Sequence, residues 1–521
     1  MEAAVFEPIA QPRRAGGYPV EYVAVGAVAV IAWLPVLAAV LTRTAIGWGL
    51  AFGLAVVVER VTARLAPRVL LASLVVAGAF VPSGLVTDST HYLPVAVVGG
   101  AIALRFALEA WRNRSLARPA AEPLVAAVGI YLLWAALATL TSIDHRLSAA
   151  YWLGMVAVCA LAFWALPTLV STRQDREFLL AVMGALGVVV AATVYVLSIA
   201  GDVYIFGRRV SDHLPVDLTI AGHATGVHFG RSAGLFIVPL EPSVIMVMAL
   251  VALLGWTAMR HGPWMWAGRA SIVFVVPAVL IALDRSAWLA AIVATGVFAA
   301  LPLARRSATV TAAVLCLVFT ACFVDVIANG IGVNAVESHA CTTNCQAVAP
   351  GTDEVTLRGG TGLSGREYLW HASLDAIKKR PLLGYGPGNN VPAIEPYLSG
   401  EAARLFRGLT SHSTWLRTAV EDGIPGLLIF LGVLLVAAVV FMRAPREPRR
   451  RKDRRTGIPD PTRVTLAVSV VGLLGVMSFE SFFLGGVNFS NLYLALALAL
   501  MLPPMTLAQF RHLRRPRLRV H

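Results

Sequence analysis

Apolar residues in this chain come in long unbroken runs, not at one face of a helical repeat. Fourteen runs follow one another, at 20–41, 45–58, 68–82, 92–109, 123–140, 151–169, 178–200, 241–258, 270–284, 286–303, 308–328, 424–442, 464–480 and 489–506. A helix needs about 20 mostly apolar residues to cross the hydrocarbon core of a bilayer, or about 17 when untilted. Runs that are apolar all round leave no face for water, so the buried helices of a large soluble enzyme do not fit. The pattern predicts an all-α polytopic membrane protein with about fourteen transmembrane helices. The second, third and ninth runs are short, so their ends are the least defined.

The polar stretches between the runs divide the chain. Residues 1–328 would hold eleven spans and an extracytoplasmic loop at 201–240. Residues 329–423 would form one large, partly helical extracytoplasmic loop. Residues 424–521 would hold three more spans, a basic cytoplasmic linker at 443–463 and a basic cytoplasmic tail. Connections this long are usually functional or disordered, and no internal repeat is visible.

Composition agrees: 58% of residues are hydrophobic and 14% charged, where a soluble domain carries nearer a quarter charged. The net charge is +14, which would suit nucleic acid if it were gathered on a folded face. Instead, most Lys and Arg fall on one side of the expected membrane. That side includes Arg449, Arg450, Arg451, Lys452, Arg454 and Arg455, and the tail residues Arg511, Arg514, Arg515, Arg517 and Arg519. This is the positive-inside signature, which puts both termini in the cytoplasm and makes anionic lipid headgroups, not nucleic acid, the expected partner of the linker. No small-residue cleavage site follows the first run, so it reads as a retained helix and not as a signal peptide.

Of five cysteines, Cys159, Cys316 and Cys322 lie in or near spans and read as packing residues. Cys341 and Cys345 lie in the large loop, where a small local disulfide could form. His339 stands beside them, but three ligands so close, with no second cluster, argue only weakly for a metal.

The large loop carries local structure. Ser364 and Glu367 form an S-x-x-E capping box with Ser364 as N-cap. Trp370, Leu374 and Ile377 make an apolar stripe, Lys378, Lys379 and Arg380 suit the helix C-terminus, and Pro381 stops it. Gly384, Gly386, Pro387 and Gly388 follow; they could offer N–H groups to a phosphate, but no strand precedes them, and a turn between helices is the better reading. A second helix starts near Ser411, with Trp415, Leu416, Ala419 and Val420 on its apolar side and Arg417 and Glu421 as an i, i+4 pair. Gly423 and Pro425 end it.

Three residues stand out for chemistry. His412 lies at the first turn of that second helix, where the dipole disfavours the imidazolium; a neutral imidazole can accept a proton. Arg231 precedes the eighth run, within Gly230-Arg231-Ser232-Ala233-Gly234. Arg285 lies between two apolar runs, where a charge costs about 2.5–3.5 kcal/mol at mid-membrane; an interfacial anchor is the plain alternative. Guanidinium forks suit phosphate bidentately, so two such arginines facing outward suit a diphosphate. His213, His223 and His228, with Asp212 and Asp217, lack a metal spacing and read as surface residues. The early outer loops carry only Asp88 and Asp144, not the paired carboxylates that a metal-dependent lipid-donor glycosyltransferase needs. Glu480, near the end of a span, has no role assigned by the pattern.

The ordered stretch Gly365-Arg366, Trp370, Pro381-Leu382-Leu383-Gly384-Tyr385-Gly386-Pro387-Gly388, Ser411-His412-Ser413 and Glu421-Asp422-Gly423-Ile424-Pro425-Gly426 resembles the O-antigen ligase/polymerase superfamily. Arg231 with Gly234 and Phe236, and Arg285 with Ser286, Ala287 and Trp288, are similar to two further elements of that family. Ser413 stands where Asn is usual, Asp284 where Ser is usual, and Leu240-Glu241-Pro242 where Asn-Pro-Asn is common. The resemblance implies a metal- and cofactor-independent C-type glycosyltransferase of the bacterial inner membrane. Its donor would be a glycan on polyprenyl (undecaprenyl) diphosphate, and its acceptor a glycan or glycolipid at the outer face. Arg231 and Arg285 would grip the diphosphate, His412 would be the general base, and Arg366 would bind substrate or a structural carboxylate. A flippase of lipid-linked oligosaccharides is the rival reading; such proteins carry charges in a central cavity and usually have short loops.

Overall fold

In the computed structural model the chain is described at residues 18–41, 44–79, 93–113, 121–170, 172–200, 204–205, 208–209, 213–220, 223–232, 240–282, 284–301, 306–329, 366–443, 460–481 and 489–503. Ser364, His339, Cys341, Cys345, residues 444–459 of the basic linker and the basic tail lie outside these residues.

The helices in chain order are α1 (Tyr18–Leu41), α2 (Thr44–Thr62), α3 (Arg68–Ala79), α4 (Leu93–Asn113), α5 (Glu122–Leu140), α6 (His145–Leu169), α7 (Arg173–Ala200), α8 (Leu240–Met259), α9 (Pro263–Ile281), α10 (Arg285–Ala300) and α11 (Arg306–Asn329). They continue as α12 (Arg366–Lys379), α13 (Asn390–Ile394), α14 (Gly400–Leu405), α15 (Thr414–Arg443), α16 (Pro461–Met477) and α17 (Phe489–Leu500). Every apolar run of the sequence falls on a helix, and seven of these helices are long and apolar enough to cross a membrane. The chain is thus a helical, polytopic membrane protein.

Between α7 and α8 the chain departs from the all-α expectation. Strands β1 (Tyr204–Ile205) and β2 (Arg208–Arg209) pair, and β3 (His213–Ile220) pairs antiparallel with β4 (His223–Ser232). The local pattern explains the longer ribbon: Leu214, Val216, Leu218 and Ile220 alternate with more polar neighbours, the period of a strand.

Two polar layers bracket the apolar bundle. At one end, the start of α7 is tied to three other helices: Arg176 to Asp460 at 2.6 Å, Glu177 to Arg260 at 2.9 Å, and Asp175 to Arg68 at 3.7 Å. Asp460 caps α16 through the Thr462 N–H at 3.0 Å. At the other end of α16 lies Glu480. The 17 residues of α16 separate these layers by about 26 Å at 1.5 Å per residue, close to the thickness of a hydrocarbon core. Charge therefore appears where a bilayer would end.

Outside the bundle, α12 to α14 and the first turns of α15 enclose a small second core of Leu369, Ala372, Ala376, Tyr385, Ala393, Ile394, Phe406 and Val420. The stripe predicted on α12 is displaced: Leu374 is 44% exposed, while Leu369, Ala372, Ser373 and Ala376 face inward. Small residues on that face let the helix approach the loop closely, which a leucine face would prevent.

Candidate active site

The site is built around a kink. α15 contains one non-helical residue, Gly423, at φ 73°. In a continuous helix the Ile424 N–H would bond the Val420 carbonyl, and residue 425 would bond Glu421. Pro425 has no N–H to give. The freed groups are satisfied by the Gly-rich loop instead. Tyr385 N–H donates to Val420 O at 2.9 Å, Gly386 N–H donates to Glu421 O at 2.8 Å, and Ile424 N–H donates to Pro381 O at 2.8 Å. The loop is therefore a turn stitched to the kink, and the Tyr385 and Gly386 N–H groups are not free for phosphate. Gly384 sits at φ 64°, with a hypothetical Cβ 2.5 Å from the Val420 carbonyl. Gly384→Ala is expected to cost more than about 2 kcal/mol, since backbone conformation and contact both oppose it. Size-exclusion recovery of detergent-solubilised protein at rising temperature should show an earlier loss than wild type.

His412 is held at the entry to α15 in a left-handed conformation, φ 44°, the one non-glycine residue with positive φ among those described. Such a residue costs about 1–3 kcal/mol and persists when its surroundings over-determine it. They do so here. Ser411 N–H donates to Asn390 Oδ1 at 2.8 Å, and the Ser373 and Ser411 hydroxyls lie 2.8 Å apart. On the other side, Thr414 Oγ1 donates to the Glu480 carbonyl at 2.7 Å. Asn390, Ser373 and Thr414 were not singled out by sequence; they are buried polar residues with partners distant in the chain, which no spacing reveals.

The carboxylate of Glu480 is the meeting point. Arg366 Nη2 donates to Oε1 at 2.6 Å, and His412 Nδ1 lies 3.1 Å from Oε2. The Glu480 side chain is 8% exposed, those of Arg366 and His412 25% and 30%. Arg366 therefore does bind a carboxylate, with further N–H groups of its fork remaining. Arg285 lies within electrostatic range of Arg366. It is the first residue of α10, whose N-cap is Asp284; Asp284 Oδ1 accepts from Ser286 N–H at 3.0 Å and Ser286 Oγ at 2.6 Å. Asp284 at this position thus does a capping serine's work. Trp370, one turn after Arg366, packs its ring 6.3 Å from that of Phe479, and its indole N–H is buried with no partner among the described residues.

Arg231 lies on β4, its backbone paired with Leu214; its side chain, like those of His213, His223, His228 and Asp217, is outside what the structure describes, as is all of Asp212. Among the predicted residues the structure brings together His412, Arg366 and Arg285, and it adds Glu480.

Behind the site lies a buried polar knot. Tyr131 OH donates to Asp422 Oδ2 at 2.9 Å, Trp134 Nε1 donates to the Asp422 carbonyl at 2.8 Å, and Arg417 pairs with Glu421 at 2.8 Å.

No curated protein matched the chain. A model of the O-antigen ligase family matches residues 270–431, from within α9 to within α15. Arg285, Arg366 and His412 lie inside the match; Glu480 and Arg231 lie beyond it. Residues 270–431 are thus similar to the O-antigen ligase family, and that match supports the O-antigen ligase superfamily as the relationship of this segment.

Proposed function

We propose that this protein is a glycosyltransferase that moves a glycan from a polyprenyl diphosphate to an acceptor hydroxyl at the extracytoplasmic face of the bacterial inner membrane. One observation supports the reading: the candidate base His412 and Arg366 meet on the Glu480 carboxylate, with Arg285 in electrostatic range of Arg366, and all three of His412, Arg366 and Arg285 lie within the family-matched segment. With Arg366 paired to Glu480, the Arg285 guanidinium and the spare N–H groups of Arg366 leave net positive charge and donors for an anion. A diphosphate leaving group is such an anion, and its charge grows as the bond to the sugar breaks. Arg231 would join them from β4.

In the proposed step the acceptor oxygen attacks the anomeric carbon, and its proton passes to His412 Nε2. The bond from that carbon to the diphosphate oxygen breaks, with the electron pair leaving on the diphosphate. A single displacement of this kind inverts the anomeric centre. The arginines carry the charge that a metal would otherwise carry, so the reading is metal-independent. Fourteen spans with both termini cytoplasmic complete the topology, with 329–423 on the outside.

The full-length protein, reconstituted with a polyprenyl-diphosphate oligosaccharide, tests this. A ladder of longer glycans would mark a polymerase, and transfer only with added acceptor a ligase; both should show the inverted linkage by NMR. Retention of configuration, or activity abolished by chelators and restored by a divalent metal, would overturn the mechanism.

A further inference from the structure

We propose that Glu480 is a positioning residue: it holds His412 in the Nδ1–H tautomer and so presents Nε2 as the proton acceptor. The inference rests on the reading of His412 as the base. A carboxylate oxygen only accepts hydrogen bonds, so the contact between His412 Nδ1 and Glu480 Oε2 at 3.1 Å needs the proton on Nδ1. In a neutral ring the opposite nitrogen, Nε2, then carries the lone pair. The carboxylate is itself held by Arg366 Nη2 at 2.6 Å on its other oxygen, and the Glu480 backbone carbonyl accepts from Thr414 Oγ1 at 2.7 Å, which ties the residue to the start of α15. It is buried, and the charged groups of this cluster are His412, Arg366 and, beyond Arg366, Arg285.

Arg366 makes the proposal sharp. Its guanidinium has donors only. In Glu480→Gln the side-chain carbonyl must therefore face Arg366, which turns the amide NH2 toward His412. The amide can only donate there, so Nδ1 must accept and the ring proton moves to Nε2. The substitution keeps size and hydrogen-bond count but inverts the tautomer, leaving no lone pair for the acceptor hydroxyl.

The test reads the tautomer directly. Full-length protein with 15N-labelled histidine is reconstituted in liposomes and examined by solid-state NMR at about pH 8.5, above the ordinary histidine range; His412 signals are assigned by their loss in His412→Ala. Wild type should show Nδ1–H, and Glu480→Gln should show Nε2–H. Nε2–H in wild type, or no change in the variant, overturns the proposal whether or not the variant folds as well as wild type. This readout does not depend on turnover, so it stands apart from the transferase reading. In the transfer assay Glu480→Gln should lower kcat by about 10²–10⁴-fold with donor KM little changed. It should add no further loss in a His412→Ala background. A further loss there would mean that Glu480 acts through Arg366 alone. Should His412→Ala keep full activity while the tautomer behaves as expected, the base assignment fails and the positioning geometry does not.

Discussion

His412→Ala is expected to lower kcat for glycan transfer by about 10²–10⁴-fold, the usual worth of general-base help, while leaving donor affinity within a few-fold of wild type. The expectation follows from where the ring is held. Its backbone is at φ 44°, a conformation that the Ser411–Asn390 and Thr414–Glu480 hydrogen bonds impose. A fold that maintains a strained residue at a partly open site usually does so for what its side chain does there. Because the ring meets Glu480 through Nδ1, its removal deletes the proton acceptor and leaves the arginines in place. Steady-state kinetics and donor binding on the same preparation separate the two effects. Wild-type turnover by the alanine variant would remove His412 from the mechanism.

Arg285→Ala is the second large effect, expected at about 10²–10³-fold in kcat, as for loss of one donor to a developing oxyanion. Arg285→Lys should recover only part, because an ammonium lacks the planar fork that meets two phosphate oxygens. Arg285 and Arg366 would share one anion, so the double alanine variant should fall short of the product of the single losses. Binding of polyprenyl diphosphate should weaken in both variants and should weaken further with salt. Undiminished binding by the double variant would dissolve the clamp.

The helices were legible because apolar runs are a strong signal; every run lies on a helix, although the apolar pattern alone could not place the two ribbons in 204–232. The turn at Gly384 was legible because closely spaced glycines tolerate the positive φ angles, 64°, 90° and 82°, that a tight turn requires. His412 was legible from its motif. Glu480 was not: it lies 68 residues from His412 and 114 from Arg366, outside the family-matched segment, and its pattern shows only one acidic residue after an apolar run. A lone charge at the end of a span is itself a functional signal, and here it was the one to follow. The stripe on α12 went astray because sequence favours large apolar residues, while close packing selected Ala372 and Ala376. Arg231 stays a proposal carried by resemblance.

The most direct measurement is a single turnover. Excess full-length protein in liposomes is mixed with a labelled oligosaccharide on polyprenyl diphosphate and a suitable acceptor, and the lipid products are separated. The account predicts one polyprenyl diphosphate freed for each glycan transferred, at a rate that collapses in His412→Ala. Donor recovered intact on the opposite leaflet, with no sugar–phosphate bond cleaved, would contradict it.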